Sequence, residues 1–193
     1  MDGKERERQE ARERHLEFQQ VIEGLFLVAL GSRRTARLDA RLKEAGLDLS
    51  LPLEPAYPSM RYVGWLKITA EELFPELDEA QGLRQLGAEM MGGYTNTLIG
   101  RAIFGVMRVI GIRRAFDRIT RSFRSGDNYT EAQAEFVGPT EALVRFNEVH
   151  GVPTYIEGAL EKALRMLGAD DGRVVLESCP EGYEAVFRAT WSG

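Results

Sequence analysis

The sequence predicts an α+β fold: a single domain in which several helices precede an antiparallel sheet with a strand-strand-helix-strand-strand C-terminal unit. Two features carry the prediction. Up to about residue 126 the apolar residues recur every three or four positions, as on one face of a helix. From Tyr129 the period becomes two, with Ala132, Ala134 and Phe136 interleaved by Gln133 and Glu135, and the last third continues strand, strand, helix, strand, strand. A chain of 193 residues with 44% hydrophobic content can bury one sizeable core.

Residues 1–17 form a mixed-sign charge run with almost no apolar residue, expected as a solvated helical arm ahead of a domain over 18–193. Val21 to Leu30 (VIEGLFLVAL) is apolar, too short to span a bilayer and ended by Gly31, and is expected as a buried strand. Ser32 is the expected cap of a helix that buries Leu38 and Leu42 and stops at Gly46. Pro52, Pro55 and Pro58 then impose an extended loop. A helix from Ser59 to about Leu73, with Trp65, Leu66 and Ile68 inward, ends before Pro75.

Asp78 caps a long helical region that the pair Gly92-Gly93 is expected to interrupt. Ile99, Ile103, Val106 and Ile110, then Ile112, Phe116, Ile119 and Phe123, mark two amphipathic helices joined or kinked at Gly111. Gly138, Pro139 and Thr140 turn a hairpin, a helix runs from Pro153 to about Leu167, and strands near 173–179 and 183–191 complete the sheet.

The net charge of −5 and pI near 5.3 argue against nucleic acid as a partner, and no apolar run approaches the ~20 residues of a membrane span. One cysteine, Cys179, rules out an internal disulfide and a multi-thiolate metal site, and together with the charged start it points to the cytoplasm. His150 with Glu148 offers too few ligands for a metal, and His15 falls in the charged arm, so no metal site and no catalytic set is expected. The adjacent carboxylates Glu71-Glu72, Asp78-Glu79 and Asp170-Asp171 read as solvated helix ends and turns.

Against this acidic background, Gly100 to Gly126 holds seven arginines, one aspartate and no lysine. Arg114, Arg118 and Arg121 share a helical face flanked by Arg113 and Arg124. They either pair with Glu131, Glu135 or Glu141, or form a docking surface for an anionic partner, since guanidinium favours bidentate contacts. Tyr57, Ser59 and Arg61 spell Y-P-S-M-R, which resembles the YxSxR signature with which haem nitric-oxide/oxygen-binding domains grip the haem propionates. Haem is therefore an alternative to the main expectation of no cofactor.

The segments "GLFLVALG", "YPSMRYVGWLKITAEELFPELDEAQGLRQLG", "LIGRAIFGVM" and "VPTYIEGALEKALRMLGA" together resemble a paralogous family of unknown function expanded in myxobacteria, over roughly Val21 to Trp191. That family is similar in layout to vinyl-reductase-type small-ligand domains and to haem nitric-oxide-binding domains. The resemblance implies a layered sensor fold and no catalytic residues. The resulting expectation is a non-catalytic sensor or adaptor that binds a small apolar ligand or a protein partner. Tyr62, Trp65, Tyr94, Phe104, Phe116 and Trp191 are the candidate lining of its pocket. Self-association as a homo-oligomeric module is the alternative from a different class.

Overall fold

The computed structural model describes residues 3–192, so Met1 and Asp2 of the charged arm lie outside the described residues. Helix α1 (Gly3–Arg12) leads into a short strand β1 (Leu16–Phe18) that pairs antiparallel with β2 (Ala56–Pro58). The arm is thus tied to the body. The Leu16 and Phe18 amides donate to Asn128 Oδ1 at 2.9 Å and to the Gly126 carbonyl at 2.7 Å.

Residues expected as a strand from Val21 to Leu30 are instead helical. Helix α2 (Gln19–Ala29) widens in its second half, where the Leu30 amide reaches back five residues to the Leu25 carbonyl at 2.9 Å. Val21, Ile22, Leu25, Phe26 and Leu30 are buried while Leu27 and Val28 are exposed, a spacing that only a helix produces. The widened turn lies where α2 meets α5: a Cβ on Gly93 would stand 1.9 Å from the Gly24 carbonyl oxygen.

Helix α3 (Ala36–Glu44) begins later than expected. Its cap is Thr35, which accepts from the Leu38 amide at 3.1 Å, and Ser32 lies in a separate short turn. Helix α4 (Ser59–Leu73) has the expected bounds, with Trp65 and Leu66 fully buried. Helix α5 (Glu79–Tyr94) starts with the expected Asp78 cap, closed into a box by Gln81, and it runs straight through Gly92-Gly93. These glycines do not break it; Gly93 permits the close approach to α2.

Helix α6 (Leu98–Phe116) is kinked at Gly111, whose φ of 81° only glycine adopts without strain, and α7 (Ile119–Phe123) follows. Strands β3 (Ala132–Gly138) and β4 (Glu141–Phe146) form the hairpin, α8 (Pro153–Met166) crosses over, and β5 (Arg173–Ser178) and β6 (Ala185–Thr190) complete a four-stranded antiparallel sheet in the order β3-β4-β6-β5. The inward row Ala142, Val144 and Phe146 is fully covered, as the alternation predicts.

Helix α8 is the keystone. One side packs with the N-terminal helices through Tyr155 and Ala159, the other packs on the sheet through Leu160 and Leu164. Its carboxylates hold the sheet edge: Glu161 accepts from the Val174 amide at 3.1 Å and Glu157 from the Leu176 amide at 3.2 Å. Between these two cores, under α6, lies a cavity. Among the described residues no single helix is long and apolar enough to cross a membrane.

Candidate functional site

The cavity is about 160 Å³ and mostly apolar, with Val21, Leu66, Met90, Ile103 and Phe104 among its lining side chains. One end is polar. There, three segments far apart in sequence meet: residues 12–17 at the end of the arm, the turn 127–130 before β3, and the turn 148–150 between β4 and α8.

Local chemistry fixes each group. The Asp127 carboxylate accepts from the amides of Tyr129 (2.9 Å) and Thr130 (2.7 Å), which holds the turn that presents the Tyr129 ring. His150 adopts a φ of +48°, uncommon for a side chain with a Cβ, and its amide is held by Glu148 Oε1 at 2.8 Å. Glu148 Oε2 accepts in turn from Arg12 Nε at 2.8 Å, with the guanidinium 3.3 Å from the centre of the Tyr183 ring. His15 stacks on Tyr129 with centroids 4.5 Å apart, and its Nδ1 lies 3.2 Å from His150 Nε2. Glu17 is only 7% exposed, and its Oε1 accepts from the Tyr129 hydroxyl at 2.6 Å. Deeper in, the hydroxyls of Tyr62 and Tyr155 bond at 2.5 Å.

Burial sets the protonation of this end. It pushes the Glu17 carboxyl up to about 8, reinforced by the charge of Asp127 and opposed by the Tyr129 hydrogen bond. Burial raises Asp127 as well. It pulls His150 down to about 4, against the attraction of Glu148 and with the help of His15 and Arg12. His15 is lowered for the same first reason, so both imidazoles are neutral at pH 7.

Of the residues expected to line a pocket, Tyr62, Tyr94, Phe104 and Phe116 do so. Trp65 does not; it is fully buried among the N-terminal helices and its indole N–H donates to the Ala45 carbonyl at 3.0 Å. Trp191 sits behind the lining, its ring 5.8 Å from that of Phe116. Arg113, Arg114, Arg118, Arg121 and Arg124 are all exposed. Among the described residues none has a carboxylate within ion-pair distance: Glu135 pairs with Arg145, and Glu141 with Arg188. Arg113 lies over the Phe136 ring at 4.1 Å, and Arg124 donates to the Asn128 carbonyl. Sequence reasoning missed Glu17, His15, Tyr129 and Tyr155, whose convergence is entirely long-range.

Tyr57, Ser59 and Arg61 do not converge on this cavity. The Tyr57 hydroxyl accepts from the Glu54 amide at 2.8 Å and its ring packs on Trp65, while Arg61 is exposed beside Gly46. Ser59 Oγ is buried without a partner, and Ser59 is not the helix cap; Pro58 holds that place. The residues present do not suit haem. Among the described residues no lysine or arginine lines the cavity to receive propionates, three carboxylates line it instead, and its volume is far below that of the ~300–1,000 Å³ sites that take larger organic ligands. The His15, Glu148 and His150 ligand atoms lie within 4.8 Å of one another, and the two Glu148 oxygens each accept one hydrogen bond, from the His150 amide and from Arg12, so the structure brings together a group of three ligands that the sequence did not lead one to expect.

A model of the family described as "Protein of unknown function (DUF2378)" matches residues 15–192. No curated protein matches the chain. Among solved structures, an H-NOX protein from S. oneidensis in the Fe(II) ligation state aligns with a TM-score of 0.70 at 9% identity, covering 90% of this chain and 96% of that one. An Fe(II) unliganded H-NOX protein from K. algicida gives 0.65 at 11% identity, over 91% and 97%. A structure from work on haem distortion in the H-NOX family gives 0.65 at 12% identity, over 90% and 94%. At these identities the likeness is one of fold, and it agrees with the layout expected from the sequence.

Proposed function

The chain belongs to this family of unknown function, and from that premise we propose that it is a non-catalytic sensor domain that binds a compact, mostly apolar ligand and passes the event to an acidic protein partner. The cavity between α5, α6 and α8 carries the proposal. Its volume of about 160 Å³ is close to that of an engineered apolar cavity, ~150 Å³, that takes benzene. A concave, mostly apolar surface with a few convergent polar groups is the usual form of a small-ligand site.

Transmission has a material basis. Ile103, Phe104 and Met107 of α6, and Phe116, Ile119 and Phe123 beyond the Gly111 kink, line the cavity from the same continuous stretch that displays the five arginines outward. A ligand that displaces this wall moves the arginine face with it. Among the described residues none of these guanidinium groups is in an ion pair, which leaves Arg114, Arg118 and Arg121 above all available to carboxylates on another protein.

Titration with naphthalene, a small neutral fluorescent dye, tests the binding site. Saturable fluorescence is expected, lost on Ala163→Phe, which fills the cavity, and kept on Arg114→Glu with Arg118→Glu. The same charge reversal is expected to abolish binding of a polyglutamate probe. Haem added in excess is expected to give no stoichiometric Soret band. A dye signal indifferent to Ala163→Phe would remove the ligand reading.

A further inference from the structure

Among the described residues the cavity is lined by the carboxyl groups of Glu17, Asp127 and Glu148 and by no lysine or arginine. Two of these carboxylates are accounted for: Asp127 by the amides of its own turn, Glu148 by Arg12 and the His150 amide. Glu17 is not. It is almost wholly buried, accepts one hydroxyl, and among the described residues faces no cation. A buried carboxyl without a cationic partner is costly to keep, and in a cavity wall it marks a binding group.

The surroundings narrow the partner. Tyr62, Tyr129 and Tyr155 line the cavity around Glu17, close enough that its charge acts on all three phenols. Aromatic faces are negative and attract cations, most strongly where water is excluded. A carboxyl set among phenols at the end of an apolar cavity therefore offers an ammonium, whose charge favours the ionised carboxylate, an ion pair and hydrogen-bond acceptors together. A fatty carboxylate or a phosphate would meet three carboxylates and no positive group.

We propose that the ligand is a compact hydrophobic amine, its ammonium seated against Glu17 among Tyr62, Tyr129 and Tyr155 and its apolar body lying between Leu66, Met90 and Phe104. This rests on the small-ligand reading above and adds the chemical class of the head group.

The test uses the full chain and three probes of equal length, hexylamine, hexan-1-ol and hexanoate, each displacing naphthalene. Hexylamine is expected to bind at least about tenfold more tightly than either of the others, the difference that a charged hydrogen bond in a dry site supplies. Glu17→Gln is expected to remove the advantage of hexylamine over hexan-1-ol. Equal binding of alcohol and amine by the wild-type protein, or preference for hexanoate, overturns the amine proposal and leaves the apolar site standing. Failure of all three probes and of the dye overturns both. The wild-type ranking decides the matter even if Glu17→Gln folds poorly.

Discussion

The two walls of the cavity are built in opposite ways. On one side α5 and α8 cross at backbone distance: a Cβ on Gly87 would stand 1.9 Å from the Tyr155 carbonyl oxygen, and one on Gly158 would stand 1.9 Å from that of Arg84. Arg84 spans the same crossing, 2.7 Å from Glu161. On the other side α6 rests on the cavity with Ile103, Phe104 and Met107 half-buried, and it leaves Leu98 78% and Val109 86% exposed. One wall is held by reciprocal glycine contacts that leave no slack, the other by a few side chains over empty volume. Amphipathic spacing alone does not distinguish them, because it says which face is apolar and not how closely another element approaches it.

The sharpest way to break the comparison is Gly158→Ala. The obstacle is a backbone carbonyl inside a helix, which cannot rotate away as a side chain would, so α8 must lift off α5. A loss above about 3 kcal/mol in urea unfolding is expected, or failure to fold. A variant as stable as wild type would mean that this wall is no firmer than α6.

The second effect concerns the polar end, which is carried on turns and the end of the arm and on neither wall. The Glu17 carboxyl sits at about 8 in the fold against an ordinary 4.5. A raised value means that its stabilising contribution is complete below pH 4.5 and is lost as pH rises toward 8, on the order of 5 kcal/mol at most. His150, lowered to about 4 from 6.5, acts the other way: its contribution is present above pH 6.5 and is lost as pH falls toward 4. The two slopes oppose each other between pH 4.5 and 6.5, so the wild-type curve alone hides both. The difference between Glu17→Gln and wild type isolates one of them, and the variant is expected to gain relative stability steadily from pH 4.5 to 8. A flat difference would show that Glu17 is not desolvated.

Much of the firm region was legible in the sequence, and the reasons are local. Ala142, Val144 and Phe146 alternate because one sheet face is wet, and Asp78 with Gln81 is a complete capping box within four residues. The stretch 21–30 misled because nearly every position is apolar: the period that separates helix from strand needs polar residues on the other face, and Leu27 and Val28 are exposed without being polar. Ser32 misled because Thr35, three residues on, is an equally good cap. The polar end was not legible at all. Glu17 meets Tyr129 across 112 positions and His15 meets His150 across 135, while the surrounding charge run argues for solvent. Even the flanking Leu16 and Phe18 point the wrong way, since alternation would turn Glu17 outward.

A third effect tests the hinge between the walls. Gly111 has φ 81° and ψ 167°, and no atom lies within 4 Å of a Cβ placed there, so Gly111→Ala meets backbone strain without a clash. A cost of about 1–3 kcal/mol is expected in urea unfolding, with weaker naphthalene binding as α6 straightens away from the cavity. Strain at this position with no change in dye affinity would separate the kink from the site.

The smallest effect is expected at Val109, on the outer face of α6. Its side chain is 86% exposed, so Val109→Ser removes almost no buried area and exchanges two residues of similar helix propensity. Unfolding in urea is expected to stay within about 0.5 kcal/mol of wild type. A loss of more than about 1 kcal/mol would mean that something covers this face in solution, and repeating the measurement over a tenfold range of protein concentration would tell whether that cover is a second copy of the chain, because only then does the apparent stability rise with concentration.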